Sequence, residues 1–401
     1  MKLLILLFAI LNLLTINSFC QTWTMYNYTN SGLPNAHISD IAIDTAGNKW
    51  FATYQGIVKF DGTNWTTYNQ ANSGLPHDVC YAIEVDKNNN LWIGTAGGNL
   101  AKFDGVNWTY YSPYSYVTDI KISENNDIWF CGWESGVAKY DGTIFTWYNT
   151  SNSPLLSNIV FVQIENDSTV WFSPYQHGIQ KLESGNWTSF NSTNSGLPTD
   201  TGVGVIYIDK LSKEKYIGSN SNGLIIYDDI NWNIYNTSNS LIPSNKIWDA
   251  IITSDSSLWL GGDKLIRYKN NLWTYYDTSN SPINSGAYNL IEDNNFDIWM
   301  ATSGVTIYKL HLSTGLKDNI SPIIQVFSYP NPFSVETSIV CDQSKIVEVS
   351  IFDLTGKKTR TIKGNNSYQL KITRDGLKSG FYLAKVQIKN NLQYDVKLII
   401  N

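Results

Sequence analysis

The sequence predicts an all-β protein, namely a seven-bladed β-propeller closed by its N-terminal strand and followed by a small C-terminal antiparallel β-sandwich. Composition is the first observation behind this prediction, because aromatic residues make up 14% of the chain and charged residues only 15%. Many aromatic and turn-forming residues with few charges are typical of strands joined by short turns. The second observation is a repeat of about 42 residues, which is the length of a four-stranded propeller blade.

One central aromatic residue marks each copy of the repeat. Each copy predicts four strands, of which the first is an Ile-x-Ile-Asp run and the second passes through the central aromatic residue. The third and fourth strands are represented by residues 56–60 and 65–68, and Asp61-Gly62 between them predicts a tight turn, because both residue types tolerate a positive φ. The central aromatic residues are Trp50, Trp92, Trp129, Trp171, Tyr216, Trp259 and Trp299.

The predicted closure depends on counting fourth strands. The last copy, Ser285 to Leu312, supplies three strands and no fourth, whereas the first strand-like segment, Trp23 to Tyr26, belongs to no copy of its own. We expect this N-terminal strand to pair with the last blade, because the pairing removes both open sheet edges. The predicted fourth strands begin at Trp23, Trp65, Trp108, Phe145, Trp187, Trp232 and Trp273.

These repeats resemble the propeller repeat of two-component regulators. The matching stretches are Asp44 to Phe60 and Asp86 to Phe103, with weaker copies over residues 22–315. The resemblance implies a propeller that often senses a ligand outside the cell for a histidine kinase. We see no kinase segment after the repeats, so the signalling role is not carried over to this chain.

The first twenty residues predict a signal peptide. Lys2 is followed by an apolar run from Leu3 to Ile16, and small residues at Ser18 and Cys20 precede a cleavage site before Gln21. The alternative is a lipoprotein with Cys20 lipidated, although the bulky Phe19 just before that cysteine disfavours it. Neither this run nor any later one is long enough to predict a transmembrane segment.

A second domain is predicted after Gly315, where Trp disappears and Lys and Arg become more frequent. Strands are expected at residues 346–352, 368–372, 381–388 and 394–400, with turns at Thr355-Gly356 and Ser379-Gly380. The predicted division of the chain is a signal peptide at 1–20, a propeller at 21–315, a linker at 316–328 and a C-terminal domain at 329–401.

The C-terminal domain resembles the type A sorting domain of the type IX secretion system of Bacteroidetes. The resemblance implies transport through the periplasm and the outer membrane, followed by removal of the domain by a sortase-like protease and surface anchoring or release. The alternative is a structural or binding sandwich without a sorting role. The resemblance assigns the sorting motif to Tyr329, Pro330, Asn331, Pro332, Phe333, Gly380, Tyr382 and Lys397.

Several function classes are disfavoured. A net charge of −6 and a pI near 5.3 argue against nucleic-acid binding, which needs a basic surface. The four histidines have no metal-ligand spacing, and no catalytic motif is present, so we assign no metal, cofactor or catalytic residue. Without Cys20 the chain retains Cys80, Cys131 and Cys341, an odd number, and we expect Cys80 and Cys131 to be buried in strands.

The candidate ligand site lies in the loop between second and third strands, where the copies differ most. By strand counting, this loop shares one end of the blade with the Ser-Gly-Leu-Pro loops at Ser31, Ser73 and Ser195. Aromatic rings beside amides and a carboxylate suit sugars or an extended peptide, whereas the alternative is that the rings cap the strands below. The predicted ligand-binding residues are Tyr54, Gln55, Trp133, Glu134, Tyr175 and His177.

A second candidate is the aspartate of the first strand, at Asp40, Asp119 and Asp249. These carboxylates either face a cation in a central channel or accept backbone N–H bonds from a neighbouring turn. The leading functional interpretation is a secreted or cell-surface binding module for a glycan or a protein. The alternatives are a polysaccharide lyase or glycosidase on a propeller scaffold and a purely structural surface protein.

Overall fold

A computed structural model describes most of the chain after residue 20, and all regular structure in the described residues is β-strand. The signal-peptide prediction at residues 1–20 falls outside the described residues. The described ranges are 21–98, 100–111, 116–132, 135–158, 160–200, 203–270, 272–302, 305–312, 326–329, 333–341, 345–364, 367–389 and 392–400.

The described residues up to Leu312 form seven antiparallel sheets of four strands each, numbered here in chain order. The first strand is β1 (Gln21–Tyr26), and sheet 1 contains β2 (Ile38–Ile43), β3 (Lys49–Thr53), β4 (Gly56–Phe60) and β5 (Trp65–Tyr68). Sheet 2 contains β6 (Cys80–Val85), β7 (Leu91–Thr95), β8 (Leu100–Phe103) and β9 (Trp108–Tyr111). Sheet 3 contains β10 (Val117–Ile122), β11 (Ile128–Gly132), β12 (Gly136–Tyr140) and β13 (Phe145–Tyr148).

Sheets 4 to 6 repeat the same order of strands along the chain. Sheet 4 contains β14 (Val160–Asn166), β15 (Thr169–Pro174), β16 (Ile179–Glu183) and β17 (Asn186–Phe190). Sheet 5 contains β18 (Val203–Ile208), β19 (Lys215–Ser219), β20 (Leu224–Tyr227) and β21 (Trp232–Tyr235). Sheet 6 contains β22 (Ile247–Ile252), β23 (Leu258–Gly262), β24 (Leu265–Lys269) and β25 (Leu272–Tyr276).

Sheet 7 joins the two ends of this part of the chain. It contains β26 (Ala287–Glu292), β27 (Ile298–Thr302) and β28 (Ile307–Leu312), and its fourth strand is β1, which pairs antiparallel with β28. Gln21 lies opposite Leu312 and Tyr26 lies opposite Ile307. Repeated four-stranded antiparallel sheets of this kind are typical of the blades of a β-propeller.

The central aromatic residues are buried between adjacent sheets, as their spacing leads one to expect. Trp50, for example, packs in one hydrophobic cluster with Ile83, Ile93 and Phe103 of the next sheet. Its indole N–H donates to the Asp44 carboxylate at 2.9 Å. The apolar cores of these sheets are therefore shared across sheet boundaries, and each sheet needs its neighbour to bury its aromatic face.

The connection between third and fourth strands differs from the predicted tight turn. Phe60 pairs with Trp65, so four residues rather than two separate the strands, and only Gly62 of the Asp-Gly pair has a positive φ, of 98°. The Asp61 carboxylate instead accepts the backbone N–H groups of residues 63 and 64 at 2.8 and 2.7 Å. A two-residue turn with both φ angles positive occurs at the degenerate copy Ser184-Gly185.

The C-terminal residues form two further sheets that share one apolar core. Their orders are β29-β30-β33 and β32-β31-β34-β35. The strands are β29 (Val326–Tyr329), β30 (Glu336–Cys341), β31 (Ile346–Phe352), β32 (Lys358–Lys363), β33 (Gln369–Thr373), β34 (Gly380–Ile388) and β35 (Gln393–Ile400). The four strands expected here correspond to β31, β33, β34 and β35. Cys80, Cys131 and Cys341 are buried free thiols.

Candidate functional site

Two kinds of loop meet at one end of the sheets, called here the loop face. The backbone N–H of Gly56, in the loop between β3 and β4, donates to the Asp78 carbonyl in the loop that leads to β6, at 2.6 Å. Glycine is required there, since φ is 104° and a Cβ would lie 2.2 Å from the Tyr68 carbonyl oxygen. Gly136, Gly178 and Gly223 make the equivalent bond to residues 158, 200 and 245.

Tyr54 lies on the loop face with 42% of its surface exposed. Its backbone N–H donates to the His37 carbonyl at 3.0 Å, and its ring meets the His37 ring edge-on at 5.0 Å. The exposed Gln55 is held through its backbone N–H, which donates to the Thr53 hydroxyl at 3.1 Å. The backbone thus fixes the position of this loop while leaving both side chains accessible.

Tyr54 belongs to a row of five rings from four sheets, called here the aromatic arc. The Tyr54 ring meets that of Tyr81 edge-on at 5.7 Å, and Tyr81 meets Tyr116 at 6.3 Å. On the other side, His37 lies 6.0 Å from the ring of Tyr288, whose hydroxyl is 3.5 Å from His37 Nδ1. Rings in edge-on contact hold each other in place and leave faces free for a ligand.

Burial changes the acid–base properties of the arc. It lowers the pKa of His37 and raises the pKa of Tyr288 to about 12. His37 is therefore neutral and Tyr288 is a protonated phenol at neutral pH, so that the arc offers uncharged hydrogen-bonding groups between its rings.

The other predicted ligand-binding residues lie outside the arc. Tyr175 is 58% exposed and His177 is exposed too, with Gln176 between them at a φ of 62°. Within the described part of the chain, no ring contact joins Tyr175 or His177 to the arc. Trp133 and Glu134 fall outside the described residues.

Four arc members were not predicted from the sequence, namely His37, Tyr81, Tyr116 and Tyr288. They lie at or just before the start of first strands, where the register shifts between Cys80 and Ala82 in β6 and between Tyr288 and Ile291 in β26. Such a bulge changes the direction of the local side chains. For Tyr81 and Tyr288 the available signal was variation at the second residue of the first strand, which is occupied by Ser39, Tyr81, Thr118, Trp248 and Tyr288 in different copies. His37 and Tyr116 lie just before their first strands, outside that position.

The first-strand aspartates link neighbouring sheets. Asp40 accepts the backbone N–H of Ile83 at 2.9 Å, and Asp119 accepts that of Val162 at 3.0 Å. These carboxylates therefore accept backbone N–H bonds, as one of the two interpretations expected. The N–H donors lie in the first strand of the next sheet and not in a neighbouring turn, so the prediction of a turn as the donor was wrong. Across the described residues, no three His, Cys, Asp or Glu side chains are grouped to hold a metal ion.

Burial raises the pKa values of two of these carboxyls. The pKa of Asp40 rises to about 7, although the nearby Lys121 opposes the rise, and the pKa of Asp249 rises to about 6. Lys121 Nζ lies 3.1 Å from Asp119 Oδ1 and carries the positive charge among these first strands. Asp40 and Asp249 thus hold strands together in an environment that disfavours their charged form.

Four of the predicted sorting-motif residues, Phe333, Gly380, Tyr382 and Lys397, lie in or beside the last two strands, β34 and β35. The backbone N–H of Phe333 donates to the Ile399 carbonyl at 3.0 Å, while its buried side chain fills the core. Gly380 and Tyr382 lie in β34 opposite Ile400 and Leu398. Lys397 Nζ lies 4.6 Å from the centre of the Phe381 ring. Tyr329 ends β29, and residues 330–332 fall outside the described residues.

Comparison with known families agrees with both halves of this description. Residues 328–401 match the secretion system C-terminal sorting domain, and residues 74–97 match the two component regulator propeller repeat. The chain therefore carries propeller repeats and a type IX sorting tail, and the tail directs export to the cell surface or the extracellular space. Within the described ranges, the chain has no helix long and apolar enough to cross a bilayer.

Solved structures share the fold at low sequence identity. The extracellular domain of a hybrid two-component system from B. thetaiotaomicron is 16% identical with a TM-score of 0.65, over 95% of this chain and 57% of that one. Virginiamycin B lyase from Staphylococcus aureus, also solved in an inactive form with quinupristin, is 18% identical with a TM-score of 0.59, over 73% of this chain and 99% of that one. No curated protein matches the chain significantly.

Proposed function

We propose that this chain is a cell-surface or released binding module that holds a glycan or a protein segment on the aromatic arc. The observation that carries the proposal is the row of rings from four sheets, partly exposed on one face and fixed by backbone hydrogen bonds. Exposed tyrosine faces stack on sugar rings or on peptide side chains, and Gln55 beside them supplies amide hydrogen bonds. The proposal has a second candidate set of ligand-binding residues, which consists of Trp133, Glu134, Tyr175 and His177.

The proposal includes a seven-bladed propeller closed by the N-terminal strand, with the propeller at 21–315, a linker at 316–328 and the sorting domain at 329–401. The ladder between β1 and β28 supports closure. So does a core cluster in which Phe51 of the first sheet and Leu33, in the loop before that sheet, pack with Trp299 and Ile307 of the last sheet. The type IX machinery and a sortase-like protease are the proposed partners of the tail.

Binding by the arc is tested with a glycan array and an array of peptides, followed by calorimetric titration of the best ligand. Tyr54→Ala combined with Tyr81→Ala should weaken binding at least about tenfold, because two stacking surfaces are lost. Ile230→Ala is the matched control, since Ile230 is 83% exposed in the loop between β20 and β21, at the opposite end of its sheet. If the double variant and the control bind the ligand with equal affinity, the arc is not the binding site. The double variant Trp133→Ala, Tyr175→Ala then tests the second candidate set.

One observation favours an enzyme as the second candidate. His37 is neutral and its Nδ1 lies 3.5 Å from the Tyr288 hydroxyl, an arrangement in which a histidine base and a tyrosine acid are adjacent. A polysaccharide lyase would use such a pair to remove a proton from the sugar and to protonate the leaving oxygen. Release of sugar products from a bound polysaccharide, abolished by His37→Ala, distinguishes catalysis from binding alone.

A further inference from the structure

The outer face of the sheet β32-β31-β34-β35 carries apolar side chains at one end. The inner face packs into the C-terminal core through residues such as Val349, Ala384 and Leu398. On the outer face, Phe381 is 47% exposed and Leu383 is 37% exposed. The solvent face of an antiparallel sheet is usually polar, so exposed rings and leucines in regular strands call for a partner.

The apolar surface continues onto the neighbouring strands. Leu383 lies opposite Phe352 of β31, and Phe381 lies opposite Ile399 of β35, and both of these partners are partly exposed. Leu354, in the turn between β31 and β32 at the same end of the sheet, is 81% exposed. These five side chains are called here the tail patch.

Lysine side chains surround the tail patch. Lys397 Nζ lies 4.6 Å from the centre of the Phe381 ring, and Lys358 Nζ lies 5.6 Å from the centre of the Phe352 ring. A lysine in this position covers the ring with its apolar stem and presents its ammonium group to the surroundings. The exposed lysines at this end of the sheet are Lys357, Lys358, Lys378 and Lys397.

The other end of the same face is polar. There Lys385 pairs with Asp395 at 3.1 Å, so its charge is balanced within the sheet. Beside the tail patch, the carboxylate of Asp353 instead accepts the backbone N–H groups of Thr355 and Lys357, at 2.9 and 3.1 Å. A partner that matches the tail patch must therefore be both apolar and anionic.

We infer that the tail patch is a docking surface for an anionic phospholipid membrane. Phenylalanine and leucine side chains enter the boundary between headgroups and acyl chains, while lysines reach the lipid phosphates. Five apolar side chains are far fewer than the roughly 20 to 30 residues that each partner contributes to a standard protein interface. The contact would hold the exported chain at a membrane surface through its tail.

The experiment mixes the chain that begins at Gln21 with phospholipid vesicles and measures co-flotation. One vesicle contains phosphatidylcholine alone, and the other contains about one third phosphatidylglycerol. Binding to the anionic vesicle should be at least about tenfold stronger, because several lysines contribute to it. It should weaken strongly in about 1 M NaCl, where charges are screened within about 3 Å.

Two double variants test the two components of the tail patch. Phe381→Ser with Leu383→Ser should weaken binding to the anionic vesicle at least about tenfold, because two inserting side chains are lost. Lys358→Gln with Lys397→Gln should weaken it by a similar factor and reduce its salt dependence. The second pair keeps the test valid if the melting temperature shows that the first pair folds poorly.

The matched control is Tyr368→Ser with Leu392→Ser. Tyr368 is 50% exposed and Leu392 is 48% exposed, and both lie in loops at the opposite end of the C-terminal sheets. This control should bind the anionic vesicle as the parent does. Absence of binding to the anionic vesicle would overturn the inference, and so would equal losses in the control and in the well-folded Phe381→Ser, Leu383→Ser variant. Loss of export in that variant without any vesicle binding would make the tail patch a contact with a protein instead.

Discussion

At the scale of single residues, three copies of the repeat share a buried hydrogen-bonded unit in which an aspartate accepts the indole N–H of the central tryptophan, at Trp50, Trp92 and Trp299. In sheet 2 the Asp86 carboxylate accepts the Trp92 indole N–H at 3.0 Å and the Asn90 backbone N–H at 2.8 Å. Burial alone would raise the pKa of Asp86, but the bonds from Asn90 and Trp92 outweigh it and hold the pKa below its usual value. The acid is therefore ionised and structural.

Asp86→Ala should lower the free energy of unfolding by about 2 to 3 kcal/mol, because it leaves the buried indole N–H and the Asn90 amide without their acceptor. Urea denaturation of the purified chain measures the change. Asp104→Ala is the matched control, since Asp104 caps an exposed turn through the backbone N–H groups of residues 106 and 107. Equal effects of the two substitutions would contradict a structural role specific to the buried carboxylate.

At the scale of elements, the first strands of neighbouring sheets are joined by carboxyls whose charge is unfavourable where they lie. Asp40 bonds to Ile83 of the next first strand, and Asp249 bonds to Leu290 of the next. Lys121 stabilises the charged form of Asp40, whereas Glu84 destabilises it. Protonation relieves this repulsion and desolvation while the carbonyl oxygen of the acid still accepts the strand N–H.

The pKa values of Asp40 and Asp249 in the folded chain, about 7 and about 6, lie above the ordinary value of 3.8. The folded state thus binds more protons, so the stability that they contribute is complete below about pH 4 and is lost as the pH rises through 6 to 7. The melting temperature should therefore fall as the pH rises from about 4 to about 7. The double variant Asp40→Asn, Asp249→Asn should show a smaller fall, while Asp104→Asn should behave as the parent; an unchanged pH dependence in the double variant would contradict this assignment.

The elements also show what the sequence can predict. The repeat spacing located the central aromatic strands, because burying one large ring in each sheet imposes a regular period on the chain. The prediction of a two-residue turn at Asp61-Gly62 was wrong, because an aspartate also caps longer loops by accepting backbone N–H groups. In the C-terminal domain, β32 was missed because its exposed residues Lys358, Thr359 and Lys363 give no clear apolar alternation.

The candidate site was less predictable than the fold. Tyr54 was found because its loop varies between copies, but its ring partners come from other sheets. Tyr81 is placed beside Tyr54 by a bulge in β6, and Tyr288 reaches His37 across 251 residues of sequence. Contacts between repeats depend on the geometry of the whole array, which no single copy of the repeat records.

At the scale of the whole molecule, charge separates along the chain. The C-terminal domain at 329–401 has 11 Lys and Arg against 6 Asp and Glu, whereas the whole chain has 28 against 34. The acidic character therefore belongs to the part of the chain that precedes the sorting domain. A proposed cleavage of the tail would leave a more strongly acidic product, which favours solubility and disfavours adhesion to anionic surfaces.

The stability of the propeller as a unit should depend on its first nine residues after the proposed signal peptide. Trp23 packs edge-on against Tyr276 at 5.6 Å, and Tyr26 stacks on Trp299 at 5.6 Å. A chain that begins at Asn30 loses these contacts and leaves β28 without its partner strand.

We expect the shortened chain to melt about 10 °C or more below the chain that begins at Gln21, since a whole strand and two buried rings are removed. Calorimetry measures the difference, and a peptide of residues 21–29 added in trans should restore part of it by occupying the edge of β28. Met25→Ala is the control within the same strand, because Met25 is 40% exposed and contributes little burial. Equal melting temperatures of the two chains would mean that the strand does not close the propeller.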